Sequence, residues 1–257
     1  MYFKKLVSIS VMALFVASCA NPATNSASGG QKYTAQQMIE KEKFLESSND
    51  YRGLISLYRD ILKQREDDTV RYKLAESYYL VGDSKSSNFY LQPLNNKTGG
   101  KLINDVQLLQ IKNYIQLKEY GQAVEQANVY LKKNDKDGQG YNLRGIAYAH
   151  LGNLDQAYHD IMSARERFIS DSVAINNLAM LNILDKQYKN AVNLLLPQYL
   201  NGEREPRLIY NLVFALVKSG DLSYARDIIQ QEKLNTSPDL LISALQKTEK
   251  TADTVKR

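Results

Sequence analysis

Small residues recur along this chain at a nearly fixed interval. Gly53, Ser87, Ala123, Ala157, Ala191 and Ala225 are separated by 34, 36, 34, 34 and 34 residues, and a turn-like segment precedes most of them, as in GNLDQA, GDLSYA and KEYGQA. Twelve residues before each stand Lys41, Ala75, Ile111, Gly145, Ala179 and Val213; four after stand Leu57, Leu91, Ala127, Ile161, Leu195 and Ile229. Between the turns, apolar residues return at helical spacing in runs of about 12 to 15, and no strand-like alternation is sustained. A period of this length marks a stacked array of supersecondary units rather than one mixed core. Two helices that cross closely need a residue without bulk at the contact, which a small residue at a fixed interval can supply.

The pattern resembles the tetratricopeptide repeat, whose unit is a pair of antiparallel helices with a small residue at the crossing. The unit from Gly138 to Asp171 matches most closely, with Tyr141, Gly145, Tyr148, Gly152, Ala157 and Ala164 in the expected places. The resemblance implies an all-α solenoid of about six hairpins, starting near 34, 68, 104, 138, 172 and 206 and filling 34–239. A capping helix and frayed tail are expected over 240–257. The 36-residue interval is absorbed by the Asn95 to Gly100 turn. Pro93 and Pro197 both fall six residues after an anchor, inside a second helix, where a proline removes one hydrogen bond and clashes with the preceding turn. Both helices are expected to kink or stop early.

The first nineteen residues read differently. Two lysines precede a thirteen-residue apolar run, Leu6 to Ser18, which as a helix spans only about 20 Å, too short to cross a bilayer and the right length for a signal h-region. Val16-Ala17-Ser18-Cys19 resembles the lipobox of bacterial lipoproteins. It implies cleavage after residue 18 and acylation of Cys19, with Ala20 directing the protein to the outer membrane, facing the periplasm. Three acyl chains exceed what stable anchoring needs. Residues 19–33 then form a Ser/Gly/Asn-rich tether.

Cys19 is the only cysteine and His150 and His159 the only histidines, so a disulfide framework is excluded and a Cys/His zinc site has almost no ligands to draw on. No phosphate loop, nucleophile elbow or zinc-protease helix appears, and no cofactor, metal or catalytic role is expected. The net charge of +5 falls to +3 once Lys4 and Lys5 leave with the signal, and it is not clustered, so nucleic acid is not an expected partner.

The resemblance to the repeat family implies protein or peptide binding. In the repeat family the first helices line a concave face, to which the resemblance assigns Asn142, Ile146, Asn177, Met180, Ile183, Tyr210, Asn211 and Phe214. Asn177 and Asn211 stand 34 residues apart, and an asparagine column can satisfy an extended peptide backbone without selecting its sequence. The aromatic and aliphatic members are expected to supply apolar pockets beside it. The segment Asn176 to Ile228, with NNLA, LLLP ending at Pro197, NLVFAL and GDLSYA, resembles the TadD family of tight-adherence (Flp-type) pilus lipoproteins. That resemblance implies a scaffold that binds an outer-membrane secretin or another assembly component and assists its localisation or multimerisation. A type IV pilus pilotin and an outer-membrane protein assembly lipoprotein share the architecture and stay open as readings; regulation of a cell-wall enzyme is a more distant one.

Overall fold

The computed structural model describes residues 34–95 and 100–248; the expected lipidation site Cys19, the signal and the tether lie outside them. Among the described residues there are thirteen α-helices and no strand. Twelve pair in chain order: α1 (Ala35–Ser47) with α2 (Tyr51–Gln64), α3 (Asp68–Leu80) with α4 (Ser84–Leu91), and α5 (Lys101–Gln116) with α6 (Tyr120–Leu131). The series continues with α7 (Gly138–His150) and α8 (Leu154–Glu166), α9 (Asp171–Leu184) and α10 (Tyr188–Leu200), and α11 (Pro206–Ser219) and α12 (Leu222–Gln231). The thirteenth, α13 (Pro238–Lys247), closes the array. This is the all-α repeat solenoid that the period implies.

The hairpins are set by local chemistry at their turns. The side chains of Asp50, Asp83 and Asp221 cap α2, α4 and α12 by accepting backbone N–H groups of the first turn. The residue that ends a first helix turns left-handed, as at Gly152 with φ 81°, and the following N–H reaches back, Asn153 to the Tyr148 carbonyl at 2.9 Å. Lysine holds the same left-handed position at Lys118 and Lys186, with φ of 63° and 60°.

Packing explains the small anchors. Ser87, Ala123, Ala157, Ala191 and Ala225 are all fully buried. In α7, a Cβ on Gly145 would sit 2.9 Å from Ile161 Cδ1 and 3.2 Å from the Ala157 carbonyl oxygen, so the two backbones approach as closely as glycine and alanine allow. The bulky partners fill the space on either side, with Leu57, Leu91, Ile161, Leu195 and Ile229 all at 2% exposure or less.

The core is a chain of clusters, one per pair of neighbouring hairpins, and it is richest at the C-terminal end. There α11 is buried almost all round, from Leu208 and Ile209 to the run Leu212 to Val217, because α9, α10, α12 and α13 surround it. The interface of the second and third hairpins adds buried polar contacts to an apolar cluster of Ala75, Leu91, Leu94, Val106 and Leu109. Asn113, fully buried on α5, donates to Ser87 Oγ at 2.8 Å and Asn88 Oδ1 at 2.9 Å, and its own Oδ1 has no partner. Ser84, also buried, donates to Gln116.

The two prolines behave differently. At Pro93 the α-helix has already ended at Leu91, and Gln92–Leu94 continue as a single 3₁₀ turn. At Pro197 the expected early stop does not occur, since α10 runs on to Leu200. The carbonyl that loses its N–H partner belongs to Asn193, an exposed residue, so water can satisfy it and the proline is tolerated in the last turn.

Crowding at the crossing gives a direct test. Ala157→Leu, which forces four carbon atoms' worth of side chain into the α7–α8 contact, is expected to lower the unfolding free energy by about 3 kcal/mol in urea titrations. A cost below about 1 kcal/mol would show that the small anchor is not what sets the helix approach.

Candidate binding groove

The first helices of the last three hairpins stand side by side and are tied by amides. Asn177 Nδ2 on α9 donates to Asn142 Oδ1 on α7 at 2.7 Å, and Asn211 Nδ2 on α11 donates to Asn176 Oδ1 on α9 at 3.1 Å. Both pairs are 35 residues apart, one more than the repeat, so the bond steps from one column of the face to the next at each hairpin. Asn142 and Asn211 are each only 8% exposed. The asparagines are therefore spent partly on one another and register successive hairpins, rather than all lying open to a client.

Around this ladder the expected pocket residues separate into two groups. Ile146, Asn177 and Met180 are half-buried and Tyr210 is 57% exposed, so these four can meet a partner. Ile183 and Phe214 belong to the core and not to the groove lining, at 0% and 2% exposure. Ile183 turns toward the second-helix side, in the cluster that holds Ala191 and Leu195. The Phe214 ring meets Tyr188 edge-on at 6.2 Å between centroids, and the Lys218 ammonium lies 5.7 Å from its own centroid.

Toward the N-terminal end, the same helices carry acids in place of apolar residues. Glu42 on α1 accepts from the Tyr58 hydroxyl at 2.6 Å and pairs with Lys73 Nζ at 2.5 Å. Burial alone pushes the Glu42 carboxyl up, but the hydrogen bonds from Lys73 and Tyr58 and the lysine charge together outweigh it, and the pKa lies below the usual carboxylate value. Tyr72 donates to Glu76 Oε1 at 3.4 Å; burial first, then the Glu76 and Asp105 charges, hold its hydroxyl well above the ordinary phenol range. One face thus runs from acidic and phenolic to apolar and amide.

Two charged contacts between helices carry no motif in the sequence. Arg144 binds Asp160 bidentately, Nε to Oδ2 and Nη2 to Oδ1 both at 2.7 Å, while its Nη1 donates to Asn128 Oδ1 at 2.7 Å, so one guanidinium fastens α7 to both α8 and α6. Asp160 is 2% exposed. At the other junction, Arg204 lies 4.2 Å over the Tyr199 ring and 3.1 Å from Glu232, which accepts the Tyr199 hydroxyl at 2.7 Å. Burial and then Glu232 push that phenol up to about 12. The separations of 16 and 33 residues match no local helix rule, so nothing in a single sequence marks them.

The histidines do not meet. His150 stacks flat on Tyr120 with ring centroids 4.3 Å apart, and burial followed by the Lys118 charge lowers its pKa; His159 is largely exposed. Among the described residues no group of three or more His, Cys, Asp or Glu side chains is placed to hold a metal.

Comparison with known proteins fixes the class. No protein-family model and no curated protein matches the sequence. Solved structures do. A tetratricopeptide repeat protein from Parabacteroides merdae superposes with TM-score 0.62 at 15% identity, covering 86% of each chain. A thermophilic TPR protein of Thermus thermophilus gives 0.57 at 14% identity over 70% of this chain and 98% of its own. A chain of the APC/C Cut9–Hcn1 hetero-tetramer gives 0.63 at 15% identity, with 78% of this chain spanning 41% of that one. The fold is therefore that of the tetratricopeptide repeat proteins.

Two measurements probe these contacts. Arg144→Met leaves the buried Asp160 carboxylate unpaired and is expected to cost about 3 to 5 kcal/mol, whereas Arg144→Met with Asp160→Leu recovers most of that loss. Equal losses in single and double variants would mean that the pair does not act as a unit. Because the Glu42 pKa is depressed on folding, its stabilisation is complete above the unfolded value of 4.5 and disappears as pH falls through the lower folded one. The drop in urea midpoint between pH 6 and pH 3 should accordingly be smaller in Glu42→Gln than in wild type.

Proposed function

We propose that this protein is a periplasm-facing scaffold, held at the outer membrane by lipid on Cys19, whose first-helix face captures a segment of a pilus-assembly component, the secretin foremost. The observation that carries the capture step is the accessible set Ile146, Asn177, Met180 and Tyr210, apolar surface beside an amide on three consecutive first helices. Such a strip suits an extended segment that offers alternating side chains to the apolar positions and backbone groups to the amide. The pilus assignment is supported by the likeness of Asn176 to Ile228 to the TadD family, and the outer-membrane assignment by the lipobox ending at Cys19.

The reading needs no chemistry from the array. Anchoring concentrates the groove near outer-membrane clients, so a modest intrinsic affinity suffices. Rigid hairpins tied by the asparagine ladder and by Arg144 present the face already formed, which reduces the ordering cost of binding.

Deletion of the gene is expected to reduce secretin multimers on gels and pili at the surface, and Cys19→Ala to reproduce much of that loss. Normal multimers and pili in the deletion strain would rule out the pilus role; loss of β-barrel proteins instead would move the protein to general outer-membrane assembly. The triple variant Ile146→Ala, Met180→Ala, Tyr210→Ala should lose about tenfold or more in client capture with helicity unchanged. Undiminished capture would place the client elsewhere on the array.

A further inference from the structure

Three cavities on the described surface are bordered by cations. In one of about 250 Å³ between α2, α3 and α4, Arg71 pairs with Glu66 and Lys63 with Asp60, while Arg59 also lines the wall. In one of about 420 Å³ between α7 and α8, Arg144 is neutralised by Asp160. The third, about 450 Å³, is bordered by Lys186, Lys189 and Lys218 with Gln187, Asn190 and Ser219, and no carboxylate lines it.

Each of the three ammonium groups is placed by the fold. Lys186 occupies the left-handed turn that closes α9, with φ 60°, and Lys189 lies in the first turn of α10. Lys218, in the last turn of α11, donates to the Gln246 carbonyl of α13 at 2.9 Å, an acceptor without net charge. Of the neighbouring acids, Asp185 accepts from Nε2 of Gln187, a residue that lines the cavity, and Asp221 caps α12 through the Tyr224 N–H at 3.2 Å. No ion pair links any of the three lysines to a carboxylate among the described residues.

The surrounding backbone adds to this positive field. The second helices α2, α4 and α12 begin with a capping aspartate, and α8 carries Asp155 in its first turn. In α10 the capping position is Gln187, whose side chain makes no capping bond, and the first turn holds a lysine and no acid. A cation there opposes the helix dipole. Lys186 and Lys189 stand beside a positive helix end, and none of the three lysines has an ion-pair partner among the described residues, so an incoming anion relieves the local field.

We infer that this cavity seats the carboxylate side chains of an acidic segment of the client, extending the first-helix groove past its last apolar residues. The inference rests on the scaffold reading above. Two features favour a peptide carboxylate. Lys218 stands one turn beyond Phe214 on α11, the last first helix of the groove, so a segment lying across Met180 and Tyr210 can continue toward it. The cavity is also open and holds more than one side chain, so a chain can pass through it instead of ending there.

The test uses the purified full-length protein and fluorescein-labelled octapeptides that alternate leucine with glutamate, glutamine or lysine. The glutamate peptide is expected to bind about tenfold more tightly than the glutamine peptide at low salt, with the gap closing to a few-fold near 0.5 M NaCl. Lys186→Gln, Lys189→Gln, Lys218→Gln should abolish that preference, while Lys186→Glu with Lys189→Glu should turn it toward the lysine peptide. The glutamine variant is expected to match or exceed wild type in urea midpoint, so misfolding does not confuse the result. A glutamate preference that survives the lysine substitutions, or is absent from wild type, overturns the inference. So does binding to phosphatidylglycerol vesicles that is lost in the lysine variant while peptide binding stays intact, which assigns the site to lipid phosphate. Client capture separates the two readings. If the groove alanine variant loses capture and the lysine variant keeps it, only the acidic segment is wrong; if the groove variant keeps it, the scaffold reading itself falls.

Discussion

Everything in this molecule hangs on how closely two helix backbones approach within a hairpin. At Gly145 and Ala157 the distance is set by a hydrogen atom and a methyl group, and Ile161 closes the remaining space. Repeating that contact at a nearly fixed interval gives units of one shape, which can stack as a regular array. The bulky residue four places on, Leu195 or Ile229, then has a fixed hollow to fill. Where the anchor is serine and its neighbour across the hairpin boundary is Asn113, hydrogen bonds stand beside the apolar packing of Leu91 and Leu94 with Val106 and Leu109, and one buried oxygen is left unpartnered.

Stacking alone would allow neighbouring hairpins to slide. Polar contacts between hairpins remove that freedom because they work only in one register. The asparagine pairs on α7, α9 and α11 step by 35 residues, and Arg144 and Glu232 each reach across a hairpin boundary. These contacts are also what leaves a presentable surface. With Phe214 and Ile183 drawn into the core and two asparagines turned to their neighbours, the face offers a narrow strip instead of a broad apolar patch.

Polar contacts differ along the face. At one end Glu42 is paired with Lys73 and bound by Tyr58, and Glu76 accepts from Tyr72; at the other, Lys218 donates to the Gln246 carbonyl.

The repeat, the hairpin count and the closing helix could be read from the sequence because they depend on local quantities: a small residue at a fixed interval, apolar positions at helical spacing, and turns rich in aspartate and glycine. The stop at Pro93 follows from the same local rules, whereas Pro197 escapes them because the carbonyl it orphans faces water. The site was only half legible. The resemblance assigned Ile146, Asn177, Met180 and Tyr210 to one face, but position on a first helix does not say whether a side chain points between hairpins or away from them, and Ile183 and Phe214 fall in the core. The sequence by itself determined the unit and its repetition, through sterics acting within one hairpin. Only the tertiary structure decided which polar groups are spent holding hairpins together and which remain accessible, since pairs such as Arg144 with Asn128, or Asn211 with Asn176, form across distances in the chain that no local rule reaches.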